Sequence, residues 1–259
     1  STPKHILLYE AFGWAPPVFA HLPVILSEDG GKLSKRKGAA SVMDYKNEGF
    51  LPDALRNFLA LLGWNPGDDR EIMSVREMID AFDLSKVSPK SSIFDTKKLE
   101  WMNGRYLSKI PCETIYEEVK NEFFAIGAND KAKIISAINL MKERTHKITE
   151  IPALCVFFFN SPKNYDEQTL QKTKKNSDLK EILFELVRKL SLLENCNAET
   201  CDNLLQNTAA QFSVGFGKVG LPARLAITGM GGGPSLHDII PIIGRDECVK
   251  RINDFLEKI

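Results

Sequence analysis

From Gly38 to the C-terminus, apolar residues recur at the three-and-four spacing of helices, and strand-like alternation is rare. The punctuation supports that period. Pro52 stands at a first helical turn, Leu51, Leu55, Phe58 and Leu62 repeat on one face, and Gly63 follows as a terminator. Ser74 with Glu77 makes a capping box for a helix reaching about Phe82, and Asp95 can cap Thr96 to Asn103, closed by Gly104. Further helices are predicted from Pro111 to Phe124, Asp130 to Arg144 and Glu150 to Phe159. After a polar link from Asn160 to Asn176, Leu179, Ile182, Leu183, Leu186, Val187 and Leu190 line one side of a strongly periodic helix. Four more follow, around 198–210, 219–227, 235–243 and 245–258, with Pro241 expected to kink or shorten the third.

The first forty residues differ. A helix from about Lys4 to Phe12 is ended by Gly13; a Pro16-Pro17 turn and an apolar run from Phe19 to Leu26 follow, the run suiting a buried strand. This reads as the tail of an α/β domain, so the chain is expected to be an excised part of a longer protein. The fold class is mainly α. No window approaches eighteen apolar residues and the N-terminus has no signal-peptide pattern, which places the protein in the cytosol as an expectation. Cys112, Cys155, Cys196, Cys201 and Cys248 are odd in number and lack metal-site spacing, so they read as reduced thiols. Cys196 and Cys201 are the closest pair, with no histidine near them to complete a metal site. No metal ligands are assigned.

Lysine plus arginine equals aspartate plus glutamate at 34 each, so any polyanion-binding surface has to be local. Three basic stretches qualify: 32–37, 85–109 and 163–175. The sharpest is Gly30-Gly31-Lys32-Leu33-Ser34-Lys35-Arg36-Lys37-Gly38. Four cations in six residues repel one another without an anionic partner, and a polyphosphate would supply one. The spacing is not that of a Walker loop. The glycine run at 229–234 reads as a plain turn.

Lys32-Leu33-Ser34-Lys35-Arg36 resembles the KMSKS-type signature of class I aminoacyl-tRNA synthetases, in the form usual in the glutamyl-tRNA synthetase family. The flanks resemble the same family: STPKHILLYEAFGW and FAHLPVIL upstream, GFLPDALRNFLALLGW and FDTKKLEWMN downstream, then more weakly MKERTHKITE, LPARLAITG and the GRDECVKRI helix. The resemblance implies the end of a Rossmann-like α/β catalytic domain followed by helical stem-contact and anticodon-binding domains. It places the end of the catalytic domain at 1–43, a stem-contact region at 44–110, and anticodon-binding subdomains at 111–162 and 163–259.

The activity implied is ATP-dependent activation of glutamate, with Mg2+, and transfer of the glutamyl group to the 3′ end of tRNA. Lys35 would stabilise the departing pyrophosphate with Lys32 assisting, and Ser34 and Arg36 would join Lys35 in ATP binding. Lys97, Lys98 and Arg105 would pair with tRNA phosphates, and Arg144 would read the third anticodon base. Arg224 and Arg245 are further anticodon candidates. The family's paired-histidine signature has no counterpart in His5, His21, His146 and His237, so this chain by itself is expected to be inactive and to hold no bound cofactor. A monomer is expected, and no membrane partner. The alternatives are a glutaminyl-tRNA synthetase relative, which the helical C-terminal part opposes, and a non-catalytic helical RNA-binding module.

Overall fold

The computed structural model describes residues 1–34 and 41–259. The chain divides into two compact units, Ser1–Met43 with Pro52–Leu99, and Asp44–Leu51 with Glu100–Ile259. Among the described residues the β pairings outside helices are isolated bridges, so the fold is mainly α.

In the first unit α1 (Thr2–Phe12) ends at Gly13, whose φ of 68° is left-handed. The Gly13 N–H donates to the Glu10 carbonyl at 3.0 Å and that of Trp14 to the Tyr9 carbonyl at 2.9 Å, closing the last turn. The run from Phe19 to Leu26 is not a buried strand. Phe19, Leu22 and Val24 are exposed, and the run bridges other backbone only at its end. An apolar run becomes a strand only where neighbouring backbone takes up its hydrogen bonds. Here Leu26 N–H reaches the Ser92 carbonyl at 2.9 Å and Phe94 N–H reaches the Leu26 carbonyl at 2.8 Å.

α2 (Val42–Glu48) leads into α3 (Pro52–Leu61), which buries Ala54, Leu55, Asn57 and Phe58. Asn57 earns its place in the core through its amide oxygen, which accepts the Met73 N–H at 2.9 Å. The predicted capping box opens α4 (Val75–Ala81): Glu77 N–H donates to Ser74 Oγ at 3.2 Å and Ser74 N–H to Glu77 Oε2 at 2.8 Å.

α5 (Thr96–Leu107) runs past Gly104, which is therefore not the predicted terminator. Glycine is needed there for room, since a Cβ would lie 3.0 Å from His146 Nδ1 and 3.2 Å from the Thr145 carbonyl. The second unit continues with α6 (Cys112–Ala125), α7 (Lys131–Met141) and α8 (Ile151–Phe159). The polar link contains a helix the sequence reading missed, α9 (Glu167–Thr173), started by Asp166 accepting the Thr169 N–H at 2.8 Å. α10 (Leu179–Ser191) buries Leu179, Ile182, Leu183, Leu186 and Leu190, each worth about 1.5–3 kcal/mol of burial. α11 (Ala198–Gln211), α12 (Gly217–Thr228) and α14 (Arg245–Leu256) pack around it, and α13 (Leu236–Ile243, through Pro241) packs on α11 and α14.

Residues 44–51 are held in this unit by Asn103, which is fully buried. Its amide accepts the Leu51 N–H at 2.8 Å and donates to the carbonyls of His146 at 2.6 Å and Gly49 at 3.3 Å. Gly49 has φ of 94°, and a Cβ there would fall 2.7 Å from Thr149 Oγ1. Gly49→Ala is accordingly expected to cost about 3 kcal/mol, combining left-handed strain with overpacking. The check is the urea midpoint, which should fall with little change in slope.

Candidate nucleic-acid interface

The second unit opens a cleft of about 970 Å³ between the end of α7, one face of α8 and the loops at 160–164 and 228–234. Its walls are largely apolar, with Met141, Leu154, Phe157 and Met230 among them. Arg144 lines it from the 3-10 turn that extends α7, and its side chain is exposed.

Arg224 comes from α12, one turn before the helix ends. It is half-buried, and burial together with the charge of nearby Arg144 holds its pKa below the usual guanidinium value. Its Nη1 is buried without a hydrogen-bond partner. The glycine run explains how this arginine comes close to the cleft. Gly229 ends α12 with φ of 79°, and a Cβ there would lie 2.7 Å from the Asn164 carbonyl. At Gly233 a Cβ would stand 3.4 Å from Arg224 Nη1. The run is thus a packed wall of the cleft, more than the plain turn its sequence suggested.

Beneath the walls lies Arg251, 1% exposed, which the sequence reading missed. Its Nη1 donates to the carbonyl of Phe157 at 2.6 Å and that of Ile227 at 2.9 Å, and its Nε to Glu247 Oε1 at 2.8 Å. Glu247 also accepts from Ser161 Oγ at 2.8 Å. One guanidinium therefore ties α8, α12 and the 160–164 loop together. Its signal was in the sequence: Cys248, Arg251, Ile252 and Phe255 form the apolar stripe of α14, so a cation on that stripe has to be satisfied internally.

An exposed arginine on an apolar wall, with a half-buried second arginine beside it, suits a ligand that offers oxygen acceptors and flat apolar faces, as nucleic-acid bases do. Residues 114–256 match the family described as "Anticodon binding domain", and residues 1–101 match "tRNA synthetases class I (E and Q), catalytic domain". The glutamate–tRNA ligase of Akkermansia muciniphila is 38% identical over 255 residues, covering 98% of this chain and 58% of that protein. The chain belongs to the glutamate–tRNA ligase family. Glutamate–tRNA ligase 1 of Sulfurimonas denitrificans is 37% identical over 257 residues, 99% of this chain and 55% of that one. A crystal structure of a glutamate tRNA ligase from Elizabethkingia meningosepticum in complex with its amino acid superposes with a TM-score of 0.87 at 36% identity, covering 98% of this chain and 54% of that one. The chain thus spans a little over half the length of the glutamate–tRNA ligases it matches.

The other predicted site residues fall in separate places. Lys32 is exposed and bridges Leu26, after a turn in which Ser27 Oγ donates to the Gly31 carbonyl at 2.9 Å and Gly31 N–H to Asp29 Oδ1 at 3.1 Å. Ser34 is half-buried; Lys35 and Arg36 lie outside the described residues. Lys97 is exposed on α5, whereas Lys98 pairs with Glu71 at 2.5 Å. Arg105 is exposed in the last turn of α5. Arg245 does not line the cleft; its Nη1 holds the Leu193 carbonyl at 2.8 Å and its Nε meets Asp246 Oδ1 at 2.8 Å. Among the described residues there is no group of three or more metal-ligating side chains and no helix long and apolar enough to cross a membrane.

Proposed function

We propose that the cleft receives the anticodon loop of a tRNA, with Arg144 reading the third anticodon base and Arg224 supplying a second contact. The observation that carries this reading is the buried, unpartnered Nη1 of Arg224 beside exposed Arg144 at an apolar cleft. A buried donor left unpaired costs about 1–3 kcal/mol, and more when it is charged, so an acceptor arriving in the cleft regains that energy on binding. The apolar walls give unstacked bases a surface to lie on.

In this reading residues 1–43 end the catalytic domain and carry the signature loop, 44–110 contact the tRNA stem, and 111–162 and 163–259 bind the anticodon. The activity belongs to a protein that joins this chain to the remaining length of its relatives: ATP, with Mg2+, activates glutamate, and the glutamyl group passes to the 3′ end of glutamate tRNA. Bound ATP supplies the pyrophosphate leaving group. Lys35 and Lys32 hold the charge that develops on it, and Ser34 and Arg36 help bind the nucleotide. We place this protein in the cytosol, acting as a monomer, with tRNA as its macromolecular partner.

Binding of glutamate tRNA to the chain over a range of salt concentrations tests the reading. Affinity should fall steeply with salt, and Lys97→Ala or Arg105→Ala should each flatten the log–log slope by about 0.9, the value of one phosphate contact. Lys98→Ala should change it less, because Glu71 already holds that ammonium. Slopes unchanged by Lys97→Ala and Arg105→Ala would make both residues plain surface and remove tRNA from their role.

A further inference from the structure

Cys155 and Cys248 are buried, and burial pushes each thiol up to about 12, which leaves them inert at neutral pH. Cys196 and Cys201 are placed differently. Their Sγ atoms lie 3.7 Å apart, unbonded, across the start of α11. Asn197 caps that helix in a reciprocal box: Thr200 N–H donates to Asn197 Oδ1 at 2.9 Å and Asn197 N–H to Thr200 Oγ1 at 3.1 Å. Cys196 therefore sits just before the cap and Cys201 one residue past the box. These are the two positions of a hydrophobic staple, where apolar side chains from the two sides of a cap meet.

The staple explains why the pair is close, and its chemistry goes beyond packing. Two thiols held in contact by a cap can be joined, whereas two leucines cannot. Access is asymmetric, since Cys201 is fully buried and Cys196 is partly exposed. The turn that presents Cys196 is itself anchored by the Arg245 guanidinium on the Leu193 carbonyl.

We propose that Cys196 and Cys201 form a peroxide-reactive dithiol that closes to a disulfide across the N-terminus of α11. The Cys196 sulfur, as thiolate, attacks one oxygen of hydrogen peroxide and becomes a sulfenic acid, and the other oxygen leaves as water once protonated. The Cys201 sulfur then attacks the Cys196 sulfur, expelling hydroxide, which takes up the Cys201 proton as a second water. Two thiols and one peroxide give one disulfide and two waters, so the peroxide is the oxidant and both sulfurs are oxidised. The sulfurs move from 3.7 Å to a bond of about 2.05 Å. Burial and the neighbouring Cys196 push the Cys201 thiol up to about 12, so Cys201 enters the second step as the thiol. The glutathione-reduced cytosol returns the pair to thiols, so the disulfide is transient there.

The test treats the native chain with equimolar hydrogen peroxide, then unfolds it, counts thiols and maps tryptic peptides. Both cysteines fall in the single peptide Leu190–Lys218, which holds no other. The five thiols should drop to three, with that peptide lighter by two hydrogens. In Cys196→Ser no pair of thiols should be lost. A second arm uses phenylarsine oxide, which condenses with two adjacent thiols and releases water. One equivalent should bind the native chain and none the Cys196→Ser variant. Five surviving thiols, a link through Cys248, a link between two chains, or arsenical binding that persists in Cys196→Ser would each overturn the proposal. None of these readouts depends on tRNA binding.

Discussion

Lys35→Ala, made in a protein that joins this chain to the remaining length of its relatives, is expected to slow adenylate formation at saturating ATP about a hundredfold while barely changing the ATP dissociation constant. A cation placed where pyrophosphate leaves interacts most strongly as charge develops, so it acts on the rate in preference to ground-state binding. Losing such a contact costs on the order of 3 kcal/mol, roughly two powers of ten. Lys35→Arg should recover part of the rate, since charge returns on a planar fork that does not occupy the ammonium's position. Lys37→Ala should be nearly silent. Single-turnover kinetics beside equilibrium ATP binding separates the effects. A raised dissociation constant with an unchanged saturated rate would reduce Lys35 to a ground-state ligand.

The second large effect concerns Arg251. Arg251→Met keeps much of the side-chain volume but strands the carbonyls of Phe157 and Ile227 and removes the charged partner of Glu247, leaving it only the Ser161 hydroxyl as a hydrogen-bond partner among the described residues. We expect a loss of about 3 kcal/mol in the stability of the second unit, the range for breaking a buried charged network from one side. Glu247→Gln should cost less, because Glu247 is partly exposed and an amide still accepts from Arg251 and Ser161. Amide exchange in α8 and α12 against denaturant reads this unit by itself. Equal protection in the wild type and Arg251→Met would show that the guanidinium holds neither helix.

Much of this architecture could be read from local chemistry. The α3 and α10 stripes and the Ser74–Glu77 box are written in adjacent residues, and adjacent residues also decide them. The misses share the opposite property. Gly104 looks like a terminator until His146, forty-two positions later, takes the space beside it. The run from Phe19 to Leu26 has strand composition, but its backbone partners are fixed by tertiary contacts. α9 carries one leucine among polar residues, so periodicity could not announce it, although Asp166 and Thr169 supplied a legible cap. Of the interface, Arg144 and Arg224 were picked out by resemblance. That Arg144 lines an apolar cleft with Arg224 close behind its glycine wall, the whole tied from below by Arg251, follows only from the packing.

The most direct measurement of the cleft's role compares binding of the chain to two anticodon stem-loops, the glutamate form and one with only the third anticodon base changed to that of glutamine tRNA. The wild-type chain should prefer the glutamate form. Arg144→Gln should erode that preference by about 1–3 kcal/mol, the worth of one bidentate base contact, chiefly by weakening the glutamate complex. If Arg144→Gln weakens both stem-loops equally, Arg144 touches backbone or serves structure alone, and the cleft does not read the base.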